Sequence, residues 1–339
     1  MSIPRLRAAR LGDLDAIVEL ARTAGAGLTT LPPDRAFLAE RIERSESAFG
    51  RRPSHPGAEE YLFVVDDGGR IVGSSALLAR VGGFDPFYTY EIRSERITHP
   101  PLGVDRTLDV LHLKRDHKGP SELCGLVVTP DRRGTGIGWL ASVGRFMFVA
   151  AFPERFAERM IAEIRGFQDA DGRSPFWDGV ASQFFAPNAF AEMDTLSGLG
   201  EKDFIADLMP AHPIYLDLLA EDVRAAIGTA HRDAGGALQL LRSQGFVPAA
   251  EVDIFDAGPI VECATSQIAT VRHARRVTVD RTDGPAGEIP CLIANPTPDF
   301  RAVATTAAID GDHVAIDDAT ASALEVEPGA QVMIVERNT

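Results

Sequence analysis

Cysteine is scarce in this sequence, and the three that occur, Cys124, Cys263 and Cys291, are odd in number and far apart. That excludes a disulfide framework and a Cys-x-x-Cys metal or redox site, so the thiols read as small buried groups and no metal ligand set is expected. Long apolar runs are missing too. No stretch approaches the ~18–20 uninterrupted apolar residues of a membrane helix. The start, Met1-Ser2-Ile3-Pro4-Arg5, has no apolar signal-peptide core. The expectation is a cytoplasmic protein with no membrane partner. Positive charge is in deficit: 34 basic against 49 acidic residues leave a formal charge of −15. Such a field repels a phosphate backbone and argues against nucleic acid as a partner. An anionic ligand would need a local site of backbone amides and arginines strong enough to override it. No internal period or low-complexity tract stands out, which removes repeat architectures.

What remains has the balance of an ordinary globular chain, 45% hydrophobic and 24% charged over 339 residues. That length suggests two domains, or one enlarged domain with an appendage. A short strand over Arg5 to Arg10 precedes a helix in which Leu14, Ile17, Val18 and Ala21 share one face, with Asp13 as its N-cap. It should stop near Gly25, and a second helix should start near Pro33 with Phe37, Leu38 and Ile42 as its apolar stripe. Tyr61 to Val65 and Ile71 to Leu78, separated by Asp66-Asp-Gly-Gly69, predict a hairpin, which Tyr88 to Ile92 extend into a meander. A strand over Glu122 to Val128 runs through a glycine-rich turn into a helix from Trp139 to Phe152. Residues 155–230 are mixed and read as an insertion, with one further strand at Met160 to Ile164. A helix over Ala234 to Ser243 then ends at Gly245-Phe246 and leads into a strand at Glu251 to Phe255.

Beyond residue 264 the pattern shifts to short β runs at Cys291 to Ala294, Ala302 to Ala307 and Gln331 to Val335, with a small helix at Thr320 to Leu324. The expected fold class is α+β. One domain covers residues 1–264 and a small β-rich domain covers 265–339.

The most informative segment is Val127 to Leu140, a strand that ends in Arg133-Gly-Thr-Gly136-Ile-Gly138 and opens a helix. The first amides of a helix lack intrahelical partners and carry the positive end of its dipole, so this geometry binds phosphate. Arg132 and Arg133 add local positive charge. A P-loop would need a lysine after the glycines, and none is present. A dinucleotide fingerprint belongs in a first βαβ unit, whereas this loop follows an antiparallel meander. The third reading is the pyrophosphate loop of GNAT acyl-CoA N-acyltransferases, Arg/Gln-x-x-Gly-x-Gly/Ala, which residues 133–138 resemble. The order of the preceding elements and the later Gly-Phe helix resemble that superfamily as well.

A closer resemblance is to the arginine N-succinyltransferase family, including the alpha subunit of arginine/ornithine succinyltransferases. Its carriers are Gly27-Leu-Thr-Thr-Leu-Pro32, Ser121-Glu-Leu-Cys124, Arg145-Phe-Met-Phe148, Ser174-Pro-Phe-Trp177, Leu208 to Tyr215 and Asp253-Ile-Phe-Asp-Ala-Gly-Pro259. The resemblance implies a GNAT-type fold, a mainly antiparallel sheet flanked by helices, with a large insertion and a β-rich tail. It implies transfer of succinyl from succinyl-CoA, a co-substrate and not a tightly bound cofactor, to the α-amine of L-arginine. Ornithine or another amine, acetyl-CoA as donor, and a non-catalytic subunit of a heteromer are the alternatives. Either a homo-oligomer or a heteromer with a paralogous subunit is expected.

By the same resemblance the proton donor is His231 and the succinyl-CoA contact falls on Leu126, where a backbone amide can serve the thioester oxygen. Gly125 departs from the small polar or threonine-like residue expected there. The acyl-CoA set is Leu126, Val128, Arg133, Gly134, Thr135, Gly136, Ile137 and Gly138. Leu28, Thr29 and Thr30 are placed to shape the acceptor pocket, Glu163, Asp178 and Asp207 are the acidic candidates for the substrate guanidinium, and Arg165 is the candidate for the succinyl carboxylate.

Overall fold

A computed structural model describes residues 3–24, 31–83, 86–185, 190–198, 203–210, 212–282 and 287–337. The chain opens with strand β1 (Arg5–Ala8) and helices α1 (Leu14–Ala24) and α2 (Arg35–Gly50). The predicted stripe of α1 is buried: Leu14, Ile17, Val18 and Ala21 are 9% exposed or less. Asp13 directly precedes α1 as expected but does not cap it: it ends a 3-10 turn over Leu11–Asp13, where its carboxylate accepts from the Arg10 amide at 2.8 Å. Helix α2 is capped by Asp34, whose carboxylate accepts from the Phe37 amide at 2.8 Å.

Strands β2 (Glu60–Asp67) and β3 (Arg70–Leu78) form the expected hairpin. Tyr88 to Ile92 do not extend this hairpin: β3 pairs with the later strand Ser121–Val128, and β4 (Phe87–His99) instead forms a ribbon with β5 (Val104–Asp116), paired along their whole length. Apart from Leu108 and Val110, its outer half is exposed or half-buried and rich in Arg, Glu and Asp, so little hydrophobic alternation marks it. Next come β6 (Ser121–Val128), helix α3 (Ile137–Ala151) and β7 (Arg159–Glu163). The long apolar α3 is buried nearly all round, its residues packing on the sheet and against the carboxy-terminal part of the chain.

From the segment read as an insertion, β7 enters the central sheet, while α4 (Ser182–Phe185), α5 (Phe190–Gly198), α6 (Asp203–Leu208), the two-residue β8 (Ile214–Tyr215) and α7 (Glu221–Ala226) follow. Phe176, Trp177, Val180, Phe185 and Phe255 form a second core with Tyr88, Tyr90 and Leu111 of the β4–β5 ribbon. Helix α8 (Gly235–Ser243) leads to β9 (Val247–Val252) and β10 (Pro259–Ala264). β9 starts four residues before the expected strand. It ends at Val252, because residues 253–258, the first three of them expected in strand, form a turn, and β10 beyond that turn was not anticipated.

The sheet runs β1-β2-β3-β6-β7-β10-β9-β4-β5-β8. All these neighbours are antiparallel except β6 and β7, which run parallel. A mainly antiparallel sheet flanked by helices is the expected α+β arrangement. After a short helix, α9 (Ala269–His273), the tail forms β11 (Arg275–Arg281), β12 (Ile289–Asn295), β13 (Arg301–Asp310), β14 (His313–Ala315), α10 (Asp318–Leu324) and β15 (Gln331–Glu336). Pairing of β12 with both β15 and β13 closes these five strands into a ring. Alternation explains its packing. Cys291, Ile293, Val332 and Ile334 face a local core, while Leu292, Ala294 and Met333 join the cluster around α3. Strand β13 also pairs with β1, so the ring continues the main sheet.

Candidate active site

The parallel pair β6–β7 holds together at only two positions, Ser121 opposite Met160 and Glu122 opposite Ile161. Past them the two strands are no longer paired, which opens the middle of the sheet at their carboxyl ends. At that level β6 is irregular. Its pairing with β3 passes from Cys124–Ala76 to Val127–Ser74, so Gly125 and Leu126 together face Ser75. This is a β-bulge, which takes a peptide unit out of the ladder. Gly125 has φ +62°, and a threonine-like side chain would be strained there. The departure from the family pattern at this position is what the backbone requires. Leu126 and Val128 are half-buried against the main core, so Leu126 offers the opening its backbone.

The glycine turn follows directly. Gly134 and Gly136 have φ +75° and +92°, and a Cβ on either would point into open space. Gly136 is the N-cap of α3, and no side chain caps that end. The amides that follow it, of Ile137, Gly138 and Trp139, therefore lack intrahelical acceptors, and the exposed glycines leave room for a diphosphate to approach them. Ile137 itself is 5% exposed; its side chain is core and its amide belongs to the cup. The Thr135 hydroxyl is tied back to the Arg132 carbonyl at 2.7 Å. The two arginines part company: Arg132 pairs with Asp67 at 2.6 Å, while the exposed Arg133 anchors its Nε on the Val128 carbonyl at 3.4 Å. The negative charge of Asp131 is offset by Arg70, which grips its carboxylate at 2.8 and 3.2 Å and holds its pKa down to about 2.

On the other side of the opening, residues 165–167 run alongside residues 229–231. The His231 amide donates to the Arg165 carbonyl at 2.8 Å, the Phe167 amide to the Thr229 carbonyl at 2.9 Å, and Gly166 bridges to Ala230. The backbone of β7's extension thus carries His231 to the end of that strand, just ahead of α8, which packs on α3. The His231 side chain is 20% exposed. Its Nδ1 accepts from the Asp233 amide at 3.2 Å, which puts the proton of the neutral ring on Nε2 and makes that nitrogen a donor.

Arg165 is 20% exposed. Its Nε lies 3.3 Å from Asp256, and its guanidinium stands 4.6 Å over the Phe190 ring. Asp256 is 2% exposed and accepts from the amides of Gly166 at 2.9 Å and Gly258 at 2.8 Å. Burial, reinforced by Asp253, pushes its carboxyl up to about 7 against the lowering pull of Arg165 and the two amides.

The residues singled out from the sequence fall into two groups that the fold brings to one edge. Leu126, Val128 and residues 133–138 line the β6 side. Glu163, half-buried opposite Ile260, shares the β7 side with Arg165 and His231. Leu28, Thr29 and Thr30 lie outside the described residues. Sequence reasoning missed Asp256, although it sits inside one of the matched blocks, because a buried acid is recognised only once its partner Arg165 is seen beside it.

Two family models match the chain: "Arginine N-succinyltransferase beta subunit" over residues 5–270, and the model for the carboxy-terminal domain of that same beta subunit over residues 275–336. The chain belongs to the arginine N-succinyltransferase family. It is 39% identical to an arginine N-succinyltransferase of Citrobacter koseri over 95% of this chain and 94% of that one. It is also 39% identical to an arginine N-succinyltransferase subunit beta of Pseudomonas aeruginosa over 95% of both chains. The structure of arginine/ornithine succinyltransferase subunit AI from Pseudomonas aeruginosa superposes with a TM-score of 0.91, at 33% identity over 100% of both chains. Membership makes the chain an acyltransferase, and the two matched regions fall on the body of the chain and on its β-rich tail. No helix among the described residues is long and apolar enough to cross a membrane.

Proposed function

We propose that this protein transfers the succinyl group of succinyl-CoA to the α-amine of L-arginine, giving N2-succinyl-L-arginine and CoA. The observation that supports it most is the near-full-length similarity to proteins named for that reaction. The amides at residues 134–138, with Arg133, receive the diphosphate of CoA and lay its thioester along the open end of β6. There the Leu126 amide donates to the thioester oxygen, which becomes negative as the amine adds to the carbonyl carbon. The adduct collapses by breaking the carbon–sulfur bond; His231 passes its Nε2 proton to the departing thiolate and takes back the proton that the attacking nitrogen sheds, so the products are the amide and the free CoA thiol and the imidazole ends neutral. Arg165, held by Asp256 and Phe190, is the cation for the succinyl carboxylate. Glu163 and the segment Leu28 to Thr30 are assigned to the arginine.

The enzyme is soluble and works in the cytoplasm on this reading, with residues 1–264 as the acyltransferase domain. A heteromer is the second reading, favoured by the word "subunit" in the names of two relatives from Pseudomonas aeruginosa. The test is release of CoA thiol by the purified chain, with arginine and ornithine as acceptors and succinyl-CoA and acetyl-CoA as donors. Fastest turnover with succinyl-CoA and arginine is the expected result. Preference for ornithine or acetyl-CoA overturns the substrate assignment, and activity only after addition of a paralogous subunit selects the heteromer.

A further inference from the structure

Arg145 is 2% exposed in the middle of α3, flanked by Phe146, Met147 and Val143, where an apolar residue would pack without the cost of desolvating a guanidinium. Among the described residues, its hydrogen-bond acceptors are backbone carbonyls. Nη1 donates to Ala76 at 3.0 Å and to Cys124 at 3.2 Å, and Nε donates to Ser142 of its own helix at 3.2 Å. Ala76 and Cys124 are the last pair on β3 and β6 before the bulge. A bulge strips its neighbours of ladder partners, and a buried carbonyl without a donor is costly. From β3, the buried hydroxyl of Ser74 donates to the Gly125 carbonyl at 3.0 Å.

This last bond fixes a direction. In a planar trans peptide the carbonyl and the following N–H point opposite ways. With the Gly125 carbonyl bound to Ser74 on β3, the Leu126 N–H points away from β3, toward the gap that β7 leaves open. We propose that Ser74 and Arg145 are positioning residues for acyl transfer: together they lock the β6 bulge so that the Leu126 amide faces the thioester oxygen. This rests on the proposed use of that amide. Burial pulls the Arg145 pKa down to about 10, so the guanidinium stays charged at neutral pH and keeps its donors. A built-in control lies between them. Ser75 faces the bulge, yet its buried hydroxyl has no hydrogen-bond partner among the described residues.

The experiment compares Ser74→Ala, Ser74→Thr, Ser75→Ala and Arg145→Lys with the wild type in kcat, acyl-CoA KM and thermal melting. It also records the infrared carbonyl band of bound succinyl-CoA labelled with 13C at the thioester, without acceptor. A slack donor in the oxyanion site costs roughly 10- to 100-fold. Ser74→Ala should lose kcat by about that factor with KM and melting nearly unchanged, and its carbonyl band should move to higher wavenumber as the hydrogen bond weakens. Ser74→Thr, which restores the hydroxyl, should recover most of the loss, Ser75→Ala should behave as wild type, and Arg145→Lys should fall between. If Arg145→Lys does not fold, the serine set decides. The lock is overturned by a Ser74→Ala protein with wild-type kcat and an unmoved band, by an equal loss in Ser75→Ala, or by a kcat loss matched by loss of affinity and melting temperature. A wild-type protein that transfers no succinyl to arginine refutes the proposed activity instead; the carbonyl band of bound acyl-CoA then decides the lock alone.

Discussion

Replacing His231 by asparagine separates the two things this residue does. The imidazole is the N-cap of the turn Arg232–Ala234, its Nδ1 accepting from the Asp233 amide at 3.2 Å. Truncation to alanine removes that acceptor, which costs about 0.5–2 kcal/mol at such a position, whereas asparagine is among the best N-caps and keeps it. Asparagine has no exchangeable proton suited to a departing thiolate. The Asn variant should therefore melt with the wild type while kcat falls by roughly 10²–10⁴, the usual worth of a positioned general acid. That corresponds to ~3–5 kcal/mol on the barrier. Arginine KM should change less than about threefold, since the ring is assigned to leaving-group chemistry and not to binding. CoA release followed with a thiol reagent, at saturating succinyl-CoA, reads both constants. A His231→Asn enzyme within about threefold of wild-type kcat refutes the assignment, because no other property of the site would have been altered.

The phosphate cup gives a second expectation. Gly136→Ala places a Cβ at φ +92° with no protein atom in its way, so the fold should lose about 1–2 kcal/mol to backbone strain. The same methyl would stand in the cup, and KM for acyl-CoA should rise by roughly tenfold or more while kcat at saturation holds; an unchanged KM contradicts the cup. Asp256 gives a pH dependence. Burial pushes its folded carboxyl up to about 7, above the ~3.9 of an unfolded aspartate, so the folded state holds the proton more tightly. The stability it contributes is complete below about pH 4 and is lost as pH rises through about 7. Thermal melts from pH 5 to 8 should fall more steeply for the wild type than for Asp256→Asn, and equal slopes would remove the inference. The thiols should be silent. Burial raises the pKa of Cys124 and Cys263 and pushes Cys291 up to about 12, so a thiol reagent at pH 8 should modify none in the native protein and all three after unfolding.

How much of this was legible in the residues follows from what each element advertises. The stripe of α1, the β2–β3 hairpin and the glycine turn before α3 announce themselves through local period and turn chemistry, and they hold the CoA side of the site. The outer β4–β5 ribbon does not, since residues mostly exposed or half-buried on both faces carry little alternation, and its pairing is set by the partner strand. Strand β10 was hidden for another reason: the expected strand ran on to Phe255, and the turn shows only once the Asp253 carboxylate is seen accepting from the amides of Phe255 and Asp256 at 2.7 and 2.8 Å. His231 was placed by resemblance and not by its neighbours in sequence. Only the fold shows why it belongs, through the hydrogen bond to the Arg165 carbonyl across 66 positions of chain. The bulge at Gly125 looked like a missing side chain. In the structure it is a backbone requirement, and the residues that hold it, Ser74 and Arg145, are read only from long-range contacts.

A structure of the protein with bound CoA tests the central claim most directly. The account places the CoA diphosphate against the amides of residues 134–138, with the sulfur end between the Leu126 amide and the His231 ring, at hydrogen-bonding distances of ~2.7–3.2 Å. A nucleotide bound elsewhere on the molecule, with the turn before α3 empty, would contradict it.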